Sequence, residues 1–190
     1  MQQGYNPDSL QPETDVYGVP VSPDFMVTGN FTRDSNKDVL FAANGGALYL
    51  MAGDGMGRLA APVEIPLPVV VTALAAGEFR AADGFTDVAV GVAGNGGDFL
   101  LIFDDAAKGF KNPVVQQPLN GPATKIEFGG LDDDPFTDVA VTDGDEVTVI
   151  HGWGRKEAVT PESRVEHVKV GGSLRGLAIG EFEWDRDGRS

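Results

Sequence analysis

The chain has no cysteine and is short of cations. Among its 190 residues, 14 Lys and Arg stand against 29 Asp and Glu, which gives a formal net charge of −15. Without cysteine there is no disulfide framework, zinc–thiolate centre or thiol nucleophile. The shortage of clustered cations argues against a nucleic-acid or anionic-lipid partner, because phosphate groups are held by Lys and Arg. This charge is compatible with divalent cations.

Long hydrophobic runs and a signal-peptide pattern are also missing. No stretch of about 18 apolar residues occurs, so we expect no membrane insertion. The first 15 residues, MQQGYNPDSLQPETD, contain neither a charged nor an apolar targeting segment. We interpret residues 1–22, which are polar and contain proline, as an N-terminal leader or linker. The many glycines and prolines, 26 and 12, predict many short elements rather than a few long helices.

What the chain does have is an internal repeat. An acidic loop led by glycine and followed by an apolar strand occurs from Gly29 (GNFTRDSNKDVLF), Gly77 (GEFRAADGFTDVAV) and Gly129 (GGLDDDPFTDVAV), and it begins again at Gly180 (GEFEWDRDGRS). The leading glycines are 48, 52 and 51 residues apart. Similar spacing with matching residues in each copy is the signature of a repeat architecture.

Each copy predicts four short antiparallel strands. Apolar runs flank the loop, an Asn-Gly or Asp-Gly turn follows, and a weaker fourth segment contains proline in two of the copies, as suits an edge strand. About 50 residues with four strands is the size of a propeller blade. We therefore predict an all-β fold: a β-propeller with about three and a half four-stranded blades in residues 23–190, the repeats starting near 23, 70, 122 and 173. A β-sandwich with irregular strands is the alternative.

The copies resemble FG-GAP repeats, also described as VCBS-type repeats, which build the propeller of integrin α-subunits. The family pattern is roughly G-D-F-N-G-D-G-x-x-D-L-A-V, and residues 29–57 are similar to it. The resemblance covers nearly the whole chain from about residue 24. It implies a propeller, typically of seven blades, and often a calcium ion in the loop between the first two strands of a blade.

The calcium ligands that the resemblance implies fall on two copies. In the first copy they are the side chains of Asn30, Thr32, Asp34 and Asp38 and the carbonyl of Asn36. In the third they are the side chains of Asp132, Asp134 and Asp138 and the carbonyl of Phe136, with Gly130 in place of one ligand. Calcium takes six to eight oxygen ligands from such mixtures of carboxylates and carbonyls. The alternative is that Asp and Asn only stabilise the turn through their own backbone, as in Asx-turns.

The other two copies depart from the pattern. The second has Arg80 at a ligand position and an extra residue in the loop, and because a guanidinium cannot ligate calcium, this site is expected to be lost. The fourth offers Glu181, Glu183, Asp185 and the Asp187 carbonyl, but Arg189 stands where the closing aspartate belongs.

Motifs that carry catalysis are missing from the sequence. No G-x-S-x-G, P-loop, G-x-G-x-x-G or H-E-x-x-H occurs. His151 and His167 lie in strand-like context. Trp153 and Trp184 are expected to cover a blade edge or fill a gap between blades, with sugar stacking as the alternative. Paired carboxylates are numerous, but nothing selects one pair as a glycosidase pair.

The function predicted from the sequence is a non-catalytic repeat scaffold, an extracytoplasmic propeller module that binds a protein or glycan and is stabilised by calcium. A carbohydrate-active enzyme or a lectin on a propeller is the alternative, because fold alone does not determine function. We expect it outside the cell, in the periplasm or on the cell surface. Three blades and the opening of a fourth cannot close a ring, so we also expect further blades in a longer chain or self-association.

Overall fold

The computed structural model describes residues 15–67, 69–80, 83–104, 106–154, 157 and 160–180. Within these residues the chain forms twelve strands, and its only helical segments are two short 3-10 turns. None of the described helical segments is long or apolar enough to cross a membrane. The strands are Phe25–Gly29 (β1), Asp38–Ala42 (β2), Leu48–Met51 (β3), Val63–Ile65 (β4), Val70–Gly77 (β5), Asp87–Gly94 (β6), Gly97–Phe103 (β7), Val115–Leu119 (β8), Ala123–Gly129 (β9), Asp138–Asp143 (β10), Glu146–Ile150 (β11) and Val165–Lys169 (β12).

The strands form three four-stranded antiparallel sheets, one for each complete repeat. The strand orders are β1-β2-β3-β4, β5-β6-β7-β8 and β9-β10-β11-β12. The prediction of an all-β chain with four-stranded antiparallel units is therefore confirmed. Residues 15–24, which include the described end of the predicted leader, contain no strand, and neither do residues 173–180, which begin the fourth copy.

The turns between strands use the residues that the sequence indicated. Gly45 and Gly144 adopt φ values of +73° and +77°, which L-residues with a side chain rarely tolerate. The fourth strand of each sheet pairs with one neighbour only among the described residues. Pro118 lies in such an edge strand, β8, where its missing N–H interrupts no second ladder.

Two apolar cores join the three sheets in chain order. The first lies between sheets one and two and contains Leu40, Leu48, Val88 and Val90. The second lies between sheets two and three and contains Ala89, from the opposite face of β6, and Val139 from β10. Because successive strand residues point to opposite faces, β6 serves both cores, and its residues 87–92 are all buried. This is why its sequence is a continuous run of Val, Ala and Gly rather than an alternation.

The leading glycine of each repeat marks the place where one unit touches the next. A Cβ added at Gly29 would lie 2.7 Å from the Thr86 side chain, and one at Gly77 would lie 2.6 Å from the Phe128 ring. A Cβ at Gly129 would likewise meet Ile179, at 2.5 Å, in the fourth copy. Glycine recurs here because the next unit occupies the space of a side chain.

Candidate functional site

The aspartate that precedes each second strand is buried at the same place in all three sheets. Asp38, Asp87 and Asp138 are at most 1% exposed. Each accepts a backbone N–H from the residue two positions after its leading glycine: Phe31 at 2.8 Å, Phe79 at 2.8 Å and Leu131 at 2.6 Å. A buried carboxylate is stable only when its oxygens are hydrogen-bonded or paired, and backbone donors meet that need here.

Asp38 and Asp138 also reach the far end of the third strand of their sheets. Asp38 accepts N–H bonds from Thr32 at 2.8 Å and from Gly53 at 2.9 Å. Asp138 accepts one from Gly152 at 2.9 Å. In both sheets the carboxylate therefore ties the acidic loop to the residue that leaves the third strand. From the sequence alone, this structural role of the aspartate could not be distinguished from metal binding.

The tip of the first loop is an Asx-type turn built on Asp34. Its Oδ1 accepts the Thr32 hydroxyl at 2.9 Å and the Asn36 N–H at 3.0 Å. These bonds, that from the Asn36 backbone first, lower the pKa of Asp34 below its ordinary value of 3.8. Asn36 in turn donates its side-chain amide to the Gly53 carbonyl at 3.2 Å. Three of the predicted ligands in this loop therefore hold the turn together.

Asn30 provides the observation that bears on calcium in the first loop. It is 8% exposed, and its side-chain amide donates to the Gly84 carbonyl in the second repeat. Its Oδ1 is buried and has no hydrogen-bond partner among the described residues. A buried oxygen without a partner costs free energy that a hard cation would offset. The donor set of Asn30, Thr32, Asp34 and Asp38 is of the oxygen type that calcium prefers.

The second loop carries its own cation. Arg80 Nη1 lies 3.2 Å from Asp104 Oδ2, and both side chains are mostly buried. The guanidinium also lies 5.5 Å from the centroid of the Trp153 ring, in the third repeat. Trp153 is itself buried and packs edge-on against Phe79 at 5.3 Å. Trp153 therefore fills the gap between two units, as its interpretation as a packing residue predicts.

The third loop divides its predicted ligands between two places. Asp132 and Asp138 lie with His151 in a group whose possible ligand atoms are all within 4.8 Å of one another. Asp134 instead accepts the Phe136 N–H at 2.8 Å, and its other oxygen lies 3.6 Å from Arg164 Nη1. The sequence predicted the Phe136 carbonyl as a ligand, whereas the contact seen in this loop is made by the Phe136 N–H.

His151 is the residue of this site that the sequence analysis missed. Its Nδ1 is 3.2 Å from Asp132 Oδ2 and 3.4 Å from Asp138 Oδ1. The strand register could have identified it. The residue after the buried aspartate pairs with the last residue of the third strand, Val139 with Ile150 and Val88 with Phe103, so the next residue, His151 or Asp104, lies near the loop. The fourth-copy candidates Glu181, Glu183, Asp185 and Asp187, together with Arg189 and Trp184, lie outside the described residues.

A second buried polar cluster occupies the β10–β11 turn. Asp143 accepts the Asn120 N–H at 2.8 Å, and Glu146 Oε1 lies 2.7 Å from His167 Nδ1. Burial, with a further contribution from the nearby Glu146 charge, raises the pKa of Asp143 above its ordinary value of 3.8.

No protein-family model and no curated protein matches the chain. Solved chains that are similar to it include two that are both described as the crystal structure of BBS1N in complex with ARL6DN, one soaked with mercury and the other with lead. They share 16% and 15% identity with TM-scores of 0.45 and 0.47. Each similarity covers 67% of this chain but only 36% and 40% of the solved chain. The chain thus spans well under half the length of these structures.

Proposed function

We propose that the chain forms FG-GAP-like blades of a β-propeller. The observation that carries this proposal is the seam of leading glycines: each of Gly29, Gly77 and Gly129 touches the following unit at the same place in the repeat. Units that bury one face against the previous unit and the other against the next are the defining feature of a propeller or solenoid. In a β-sandwich, two sheets face each other and no third sheet continues the stack.

We further propose that these blades form a non-catalytic scaffold that binds a protein or glycan. In this proposal the scaffold acts outside the cytoplasm and holds calcium in its first loop. Support comes from how the acidic residues are used. Asp38 and Asp138 accept backbone N–H groups, and Arg80 is paired with Asp104, so these charges have a role in folding. The excess negative charge favours a partner with a basic surface.

A glycan array followed by product analysis tests the choice between binding and catalysis. The purified chain would be incubated with arrayed and soluble polysaccharides in calcium, and both retention and new reducing or unsaturated ends would be measured. A scaffold leaves every glycan intact. Release of new ends that scales with protein concentration would contradict the proposal and favour the alternative of a carbohydrate-active enzyme.

A further inference from the structure

We propose that the third repeat holds a divalent transition-metal ion of the zinc type, bound by Asp132, Asp138 and His151. The donors are one imidazole nitrogen and two carboxylates, a set that suits zinc. Calcium binds almost entirely through oxygen, so this site differs from the calcium loop that the repeat pattern implies.

The distances from the His151 imidazole to the two carboxylates suit a zinc ion. A tetrahedral zinc ion with bonds of about 2.0–2.1 Å separates its ligand atoms by about 3.3–3.4 Å. His151 Nδ1 lies 3.2 Å from Asp132 Oδ2 and 3.4 Å from Asp138 Oδ1. Nδ1 is buried and makes an aligned hydrogen bond to neither oxygen. Two of the three donor–donor distances thus match a tetrahedral zinc site, and all three donor atoms lie within 4.8 Å of one another.

The surroundings of the three donors also suit a metal. The other ring nitrogen, Nε2, faces Glu166 Oε1 at 3.6 Å, so a carboxylate lies beside the ring nitrogen that would not bind the metal. Asp138 is held by the N–H groups of Leu131 and Gly152, and a carboxylate oxygen that accepts one N–H retains a second lone pair. The Asp132 side chain is 35% exposed, so an ion can reach the site and keep a water molecule as an additional ligand.

The second repeat has an ion pair at the position where the third repeat has Asp132 and His151. Arg80 and Asp132 are equivalent, because each directly follows the loop residue whose N–H binds the buried aspartate. Asp104 and His151 are also equivalent, because each directly follows the end of the third strand of its sheet. At this place the second repeat has a complete ion pair, Arg80 with Asp104 at 3.2 Å. The third repeat replaces the arginine by a carboxylate. Where the His151 imidazole is neutral, the positive charge that Arg80 supplies in the second repeat is missing here among the described residues, and a divalent ion would replace it.

The test is a zinc titration of the whole chain, followed by calorimetry and by ring-nitrogen NMR, with calcium in excess throughout. The sequence contains two histidines, so the two ring systems can be assigned separately. We expect one zinc ion per chain and a large change in the Nδ1 shift of His151, with His167 unchanged. No zinc binding, or binding that leaves the His151 ring shifts unchanged, would overturn the proposal.

Two variants make the test specific. The double substitution Asp132→Arg with His151→Asp transplants the ion pair of the second repeat, so the protein should fold and lose at least a hundredfold in zinc affinity. The matched control, His167→Gln, should bind zinc as the unaltered chain does. Zinc affinity that survives in a folded double variant, or falls equally in the control, would show that the acidic surface binds zinc elsewhere. Should the double variant not fold, the NMR result on the unaltered chain decides.

Discussion

Replacing Asp38 by asparagine tests the structural role of the repeated buried aspartate. The carboxylate accepts three backbone N–H bonds, from Phe31, Thr32 and Gly53, at 2.8–2.9 Å. An asparagine has one acceptor oxygen, so it can keep the bonds of one side and must present an NH₂ group to the donor on the other. Hydrogen bonds to charged groups contribute about 1.5–3 kcal/mol each, and a buried donor without a partner costs about 1–3 kcal/mol.

From these values we expect Asp38→Asn to lower the free energy of unfolding by about 3 kcal/mol. For a chain of this size each kcal/mol shifts the melting temperature by about 2–4 °C, so the midpoint should fall by about 6–12 °C. Circular dichroism melts in a chelator measure the effect without any contribution from metal. The chelator matters because Asp38 is also a predicted calcium ligand.

Asp34→Asn is the matched control in the same loop. Asp34 is exposed and forms an Asx-type turn, which asparagine also forms. Its melting temperature in chelator should therefore change far less than that of Asp38→Asn. Equal shifts for the two variants would refute the reasoning that the buried carboxylate, rather than the acidic loop in general, holds the repeat together.

Three further predictions follow from the same structure. Millimolar calcium should raise the melting temperature relative to chelator, and Asp34→Ala should reduce the rise; an unchanged midpoint would contradict calcium in the first loop. Gly77→Val should destabilise the chain strongly, since its Cβ would lie 2.6 Å from the Phe128 ring. Gly121→Val should not, because no described residue other than its chain neighbours has an atom within 4 Å of that Cβ. The pKa of Asp143 is raised by burial above 3.8, so the folded state holds this proton more tightly and stability falls as pH rises from there towards neutrality. Asp143→Asn should remove this decrease of the free energy of unfolding with pH, measured by urea unfolding. If the free energies of the variant and the unaltered chain differ by the same amount at every pH, Asp143 is not its source.

The repeat made the sheets predictable. The spacing of the leading glycines and the apolar runs that flank each acidic loop indicated three four-stranded units, and each sheet forms within one of them. Proline marked the weak fourth segments correctly, because only an edge strand tolerates a missing N–H. These features depend on local sequence and on strand pairing within about 50 residues.

The site was less predictable, because its contacts join residues from separate turns. His151 meets Asp132 only after β10 and β11 have paired, and no residue next to it in the sequence marks it as a ligand. The role of Asp38 was also hidden, since a buried carboxylate that binds backbone N–H groups and one that binds calcium look alike in a sequence. Asp134, a predicted ligand, lies beside Arg164, whose approach depends on the connection between β11 and β12.

The seam between the units is the central claim, and proton–proton NOE measurements on the isotopically labelled chain test it most directly. In each leading glycine, the α-proton that takes the place of a Cβ faces the following unit. We predict NOEs from Gly29 to the Thr86 side chain, from Gly77 to the Phe128 ring and from Gly129 to the Ile179 methyl groups. The absence of these NOEs, in spectra that show the strand pairings within each sheet, would contradict a stack of consecutive blades.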